Sequence, residues 1–236
     1  MIKLEAFLQQ QEKIYRTKFK DMAGKIKSEG LLPSPYAQER DGYLLVLEHD
    51  QHFREQCAYF SQRIGKIVPS VVYSPEAIHT TILTYGMQMR PAAQQSSDEK
   101  IIEMFTNSFQ SRKNNLPSVS IPYGSLLYNQ DSVIVQGIAG EDFVELANAL
   151  TGSFEATIKF GSETIRNASY TVPWSGHVTV ARLAEKVPGE KLNEFLALME
   201  EIPLLGVSTP AQVSIGYITV KGRAVNFEVK EQIPLF

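Results

Sequence analysis

Two stretches decide how this chain of 236 residues is read: Ala77-Ile78-His79-Thr80-Thr81-Ile82-Leu83-Thr84-Tyr85-Gly86 and Ser175-Gly176-His177-Val178-Thr179-Val180-Ala181-Arg182-Leu183. Each carries a His-x-Thr tripeptide inside an apolar, β-branched run of the kind that forms a strand. Residues two apart on a strand project from one face, so His79 points with Thr81 and His177 with Thr179. An imidazole titrates near neutral pH and gives or takes a proton, and a hydroxyl beside it donates a hydrogen bond to an anionic oxygen. Either tripeptide alone reads as a strand histidine bonded to a neighbour. The context they share changes that reading.

A helical stripe precedes each motif, Phe53, Cys57, Phe60 and Ile64 in the first half and Phe143, Ala147, Leu150 and Phe154 in the second. Both follow the i, i+4, i+7, i+11 spacing of one helix face. After each motif comes a further helical segment, Glu99-Lys100-Ile101 matched by Glu190-Lys191-Leu192. A strand follows, Val119-Ser120-Ile121-Pro122-Tyr123 matched by Val213-Ser214-Ile215-Gly216-Tyr217. Leading strands are expected over 43–48 and 132–137, and strand 118–128 runs through the Asn129-Gln130-Asp131 turn into the second half. A last strand over 223–230 follows the Lys221-Gly222 turn. The two halves differ in length in the polar stretches 88–97 and 161–176, where surface loops tolerate insertion.

This repeat predicts an α+β fold: two pseudo-symmetric lobes of antiparallel sheet with outer helices around a central cleft, and His79 facing His177 across it. Residues 1–40 read as an N-terminal helical extension. Residues 41–236 read as a single bilobal domain with repeat halves of about 42–130 and 131–230. Opposed histidines suit in-line displacement at phosphorus, where one group takes a proton from the nucleophile and the other gives one to the leaving oxygen.

The pair His79-Thr80-Thr81-Ile82 and His177-Val178-Thr179-Val180, with Gly86 closing the first run and Ala181-Arg182 following the second, resembles the two-histidine phosphoesterase superfamily. That superfamily includes bacterial RNA 2′–5′ ligase-like proteins and cyclic nucleotide phosphodiesterases, and the resemblance covers about residues 42–230. It implies a metal-independent phosphoesterase acting on 2′,3′-cyclic phosphate, 2′–5′-linked or other cyclic nucleotide or RNA-end phosphodiesters. RNA 2′–5′ ligation and a non-catalytic nucleotide-binding module are the alternatives. His79 and His177 would be the acid and base, with Thr81 and Thr179 holding the non-bridging oxygens. No cofactor and no metal is expected. The resemblance also implies a phosphate contact for Arg182, yet strand parity turns that position away from His177, and only a bulge or curl would bring it round. Tyr123 and Tyr217 occupy equivalent places, where they would stack a base or pack in the core with a bonded hydroxyl.

Composition bounds the alternatives. At 43% hydrophobic and 21% charged residues the chain is an ordinary globular one. No apolar run approaches the roughly 18 residues that span a bilayer, and the start MIKLEAFLQQQEK is charged too early for a signal peptide. A cytoplasmic monomer without membrane contact is expected. The net charge of −3 argues against general binding of duplex nucleic acid, whereas a nucleotide or RNA end demands less positive charge. Lys13, Arg16, Lys18, Lys20, Lys25 and Lys27 give the extension a basic face, over a rough stripe of Ile14, Phe19, Met22 and Ile26 that ends at Leu31-Leu32-Pro33-Ser34-Pro35. Cys57, the only cysteine, lies on an apolar stripe and reads as packing. The cluster Glu48-His49-Asp50-Gln51-His52 has metal-ligand chemistry, but Asp50 reads as a helix N-cap. Gly86 and Gly176 read as turn or close-approach positions.

Overall fold

Strand β1 (Arg40–Glu48) is buried through residues 42–47, as expected of a strand covered on both faces at the centre of a sheet. The computed structural model describes residues 1–88, 116–160, 170–187, 189–201 and 204–235, with Glu103 and Thr106. The segment around Glu99-Lys100-Ile101 and most of the two loop stretches lie outside them. The strands that follow are β2 (Ser70–Val72), β3 (Thr80–Gln88), β4 (Ile121–Tyr128), β5 (Ser132–Gly137), β6 (Tyr170–Thr171), β7 (Val178–Leu183), β8 (Gly206–Ser208), β9 (Gln212–Lys221) and β10 (Ala224–Pro234). The helices are α1 (Leu4–Lys18), α2 (Met22–Glu29), α3 (Gln51–Ile67), α4 (Glu141–Phe160) and α5 (Gly189–Glu200).

The strands run in the order β6-β3-β1-β9-β10-β2-β7-β5-β4-β8. Two antiparallel lobes, β6-β3-β1-β9-β10 and β2-β7-β5-β4-β8, meet through single residue pairs, Ala224 with Val72 and Thr80 with Val178. The fold is α+β. β1 and β5, β3 and β7, β4 and β9, β2 and β6 take equivalent places, which is the pseudo-symmetry of the sequence repeat. The halves interleave in space: β9 and β6 join β1 and β3, while β4 and β2 join β5 and β7. The helices cross over too, α3 packing on β7 and α4 on β3.

The Asp50 carboxylate starts α3 by accepting from the Phe53 N–H at 2.9 Å. Phe53, Cys57, Phe60 and Ile64 are buried along that helix, as are Phe143, Ala147, Leu150 and Phe154 along α4. Each fully buried side chain of the larger type stabilises by roughly 1.5–3 kcal/mol. Burial holds the Cys57 thiol well above its ordinary range.

The extension forms two helices, broken where Asp21 adopts a left-handed φ of 55°. Phe19 and Ile26 of the expected stripe are buried and Ile14 and Met22 half-buried, and α1 adds a seam of Phe7, Gln11 and Tyr15. A glutamine interrupts the apolar pattern because its amide clamps backbone, accepting from the Ala139 N–H at 3.0 Å and donating to the Ala139 carbonyl at 3.4 Å. Phe7 packs on Phe143 of α4, so the extension docks on the body. Among the described residues no helix is long and apolar enough to cross a membrane.

Candidate active site

His79 and His177 are each the last residue before their strand, and Thr81 and Thr179 each the second residue within it. The antiparallel pairing of Thr80 with Val178 sets a register in which His79 lies on the side of Thr179, and Thr81 on the side of His177. All four line one cleft of about 490 Å³, together with Arg40, Arg182, Tyr36 and Trp174.

The two imidazoles are held in matching ways. His79 Nδ1 donates to the carbonyl of Ala77 at 2.8 Å, and His177 Nδ1 lies 2.9 Å from the Ser175 hydroxyl. Both anchors come from position −2, and both leave Nε2 for the cleft. An aromatic ring backs each: Phe227 lies 5.7 Å from His79, and Trp174 stacks on His177 at 4.4 Å with 24° between planes. Gly216 admits the first of these rings, because a Cβ there would stand 2.5 Å from Phe227 Cζ.

A bulge answers the parity objection to Arg182. Val133 pairs with Ala181 and Ile134 with Thr179, leaving Val180 as the extra residue on β7. Leu45 pairs with Leu83 and Val46 with Thr81, leaving Ile82 as its counterpart on β3. One extra residue restores the face of whatever follows. Arg182 and Thr84, each five past its histidine, therefore turn into the cleft. Arg182 Nη2 donates to the Thr179 hydroxyl at 3.4 Å.

Behind the cleft lies a buried polar network that sequence reading missed. Thr80, the middle residue of the first motif, is fully buried and donates to the Gly176 carbonyl at 3.1 Å. Its oxygen lies 2.6 Å from the Tyr123 hydroxyl and 3.0 Å from His49 Nε2, and His49 Nδ1 lies 2.9 Å from Ser208 Oγ. Every group is paired if Tyr123 and His49 Nε2 donate to Thr80 and Ser208 donates to Nδ1. The network ties the first motif to the residue before His177.

These placements revise three candidates. Tyr123 is a core residue, edge-on to His49, and does not line the cleft. Tyr217 packs against Tyr43 at 5.0 Å and does not line it either. The residues of the alternative metal cluster are engaged separately: His49 in the network, Asp50 at the helix cap, and Glu48 with Gln212 and Ser214. Among the described residues no group of three or more His, Cys, Asp or Glu converges on a metal position.

Among the described residues charge in the cleft is one-sided, with two arginines and no Asp or Glu in its lining. Burial is the main cause that lowers the His79 imidazole to about 4 and the His177 imidazole to about 3, with Arg182 and then His79 adding to the second shift. Both rings are neutral at pH 7 in the free protein. An anion between them would reverse part of that shift by offering the charged form a partner.

No family model and no curated protein matches this sequence. Solved structures do resemble the fold. TT0787 of Thermus thermophilus superposes with a TM-score of 0.56 at 17% identity, covering 83% of this chain and 97% of that one. Escherichia coli LigT complexed with 3′-AMP gives 0.51 at 12%, covering 84% and 99%. A conserved protein of unknown function from Agrobacterium tumefaciens gives 0.52 at 12%, covering 89% and 97%. At such identities the likeness establishes the fold: this chain is built as LigT is.

Proposed function

We propose that this chain is a metal-independent phosphoesterase of the two-histidine superfamily, acting on 2′,3′-cyclic phosphate, 2′–5′-linked or other cyclic nucleotide and RNA-end phosphodiesters. The observation that carries the reading is the pair of imidazoles with free Nε2 atoms in one cleft, each anchored from position −2 and accompanied by a threonine hydroxyl. The fold shared with LigT, which is solved with 3′-AMP and with NADP+, supports a nucleotide in that cleft.

Binding of a phosphodiester anion raises both imidazole pKa values from their low free-state positions and so protonates one of the rings. The neutral ring takes the proton of the attacking water while the imidazolium gives its proton to the leaving oxygen, on opposite sides of phosphorus. The backbone carbonyl at His79 Nδ1 accepts that N–H whether the ring is neutral or charged, so the ring keeps its orientation through the cycle. Thr81, Thr179 and Arg182 stabilise charge on the non-bridging oxygens. Ligation is the same displacement with a ribose hydroxyl as the nucleophile.

Incubation with 2′,3′-cyclic nucleotides, cyclic-phosphate RNA ends and 2′–5′ oligonucleotides in EDTA tests this. Turnover of at least one class is expected in the chelator. Activity that EDTA abolishes and a divalent ion restores would exclude the mechanism. Nucleotide binding without turnover of any member would identify a binding module.

A further inference from the structure

The cleft carries more fixed positive charge than one phosphodiester requires. Arg182 approaches Thr179 and belongs to the reacting phosphate. Arg40 contributes a second guanidinium, and each guanidinium carbon sits within 5.1 Å of the centroid of the same ring, Tyr36. The Nε atoms of both arginines are buried without a hydrogen-bond partner. A guanidinium does not neutralise by losing its proton, and an unpaired buried donor is unfavourable. Two such groups near each other, in a cleft whose described lining holds no carboxylate, call for an anionic partner.

The charge count gives the partner's class. A phosphodiester monoanion between two imidazoles is balanced once one ring is protonated, and Arg182 already exceeds that balance. A further cation matches a further anion. Tyr36 is presented by a 3-10 turn over Pro35–Ala37 that the Ser34 hydroxyl caps, accepting from the Tyr36 N–H at 3.3 Å. Tyr36 is 52% exposed, so this wall is reachable from solvent. Arg40 opens β1 and is packed near Tyr73. Tyr36 and Arg40 both lie before residue 42, outside the stretch that carries the family resemblance.

We propose that Arg40, set beside Tyr36, forms a second anion subsite next to the reacting one. The substrate is then a nucleotide or RNA end bearing another phosphate, rather than a nucleoside cyclic phosphate alone. The proposal rests on the function proposed above, because it takes the cleft to hold a nucleotide.

Calorimetric titration with adenosine 3′-monophosphate and adenosine 3′,5′-bisphosphate, at one ionic strength, tests it without turnover. The wild type should bind the bisphosphate about 10-fold more tightly, on the scale of one charge-assisted contact. Arg40→Met should erase that preference, while Arg40→Lys should keep part of it. Equal affinity of the wild type for the two ligands would overturn the proposal, and needs no variant to fold. Equal losses on both ligands in Arg40→Met would also overturn it, assigning Arg40 to the reacting phosphate or to the fold. Failure of the wider reading is distinct: it shows as absent turnover in the EDTA panel, whatever the binding ratio.

Discussion

Truncating one side chain of the N-terminal extension should disturb His177. Tyr15 of α1 is buried and donates to the Gly137 carbonyl at 2.7 Å. Its ring meets Trp174 edge-on at 5.5 Å, and Trp174 stacks on His177. Burial pushes the Tyr15 phenol up to about 12, against hydrogen bonds with Ser175 and Gly137, so it remains a neutral donor at every working pH. Ser175 in turn anchors His177 Nδ1. Tyr15→Phe deletes the hydroxyl where β5 is tightly packed, since a Cβ on Gly137 would stand 2.1 Å from the Gly176 carbonyl oxygen. An orphaned buried acceptor costs about 1–3 kcal/mol. For a chain of this size each kcal/mol lowers Tm by roughly 2–4 °C, so a fall of about 2–12 °C is expected. Tyr15→Ala also removes the ring that backs Trp174, and should lower kcat by about 10-fold or more while the His177 imidazole rises toward its ordinary value. Thermal melts, a proton NMR titration of the imidazoles and kcat on the best substrate read these effects, with Tyr59→Phe at an exposed site as the control. Wild-type melting of Tyr15→Phe, together with unchanged kcat and His177 titration in Tyr15→Ala, would refute the link between extension and site.

Two further predictions concern the buried histidines and their network. Thr80→Val should destabilise by about 1–3 kcal/mol, because the Gly176 carbonyl loses its donor, and should lower kcat as the segment before His177 loosens. Urea unfolding and steady-state kinetics check this, and a variant that matches the wild type in both would show the network to be incidental. Acid should destabilise the protein before its carboxylates titrate. His49 is lowered to about 3, chiefly by burial, so the unfolded chain takes up its proton near pH 6.5 and the folded chain does not. The stability from neutral His49 is full above about pH 6.5 and is lost as pH falls toward 3, amounting to about 2 kcal/mol between pH 7 and 5. His79 and His177 shift in the same direction and add a smaller, solvent-screened share. Urea unfolding at the two pH values measures it, and equal stability at both would contradict the buried neutral state.

Elements whose evidence is local were legible in the sequence. The helical stripes of α3 and α4, the Asp50 cap and strand Ser132–Gly137 follow from periodicity and capping chemistry alone. The bulges were half-legible: the doubled apolar pairs Ile82-Leu83 and Val180-Ala181 break strand alternation, and that break is the signal that turns Arg182 into the cleft. Partner choice was not legible. Nothing in the periodicity of β9 or β6 says that they cross to the other half's strands, because pairing is decided by packing between distant segments. Gln11 hid the seam of α1, since a polar residue serving backbone groups looks like a solvent position. Arg40 and Tyr36 lie outside the repeat, and only the fold brings them beside Arg182. Symmetry leaves base stacking and core packing both open for Tyr123, and its hydroxyl in the Thr80 network decides for the core.

The central claim is that His79 and His177 act as one acid–base pair on a single phosphate. A double-mutant cycle of kcat/KM, run in EDTA on the best substrate with His79→Ala, His177→Ala and the pair, tests it most directly. Each single variant should lose at least about 10²-fold with its fold intact, and the double variant should be little worse than the worse single one, as expected of groups that work as a unit. Near-wild-type activity in either single variant, or losses that simply multiply in the double, would contradict the account.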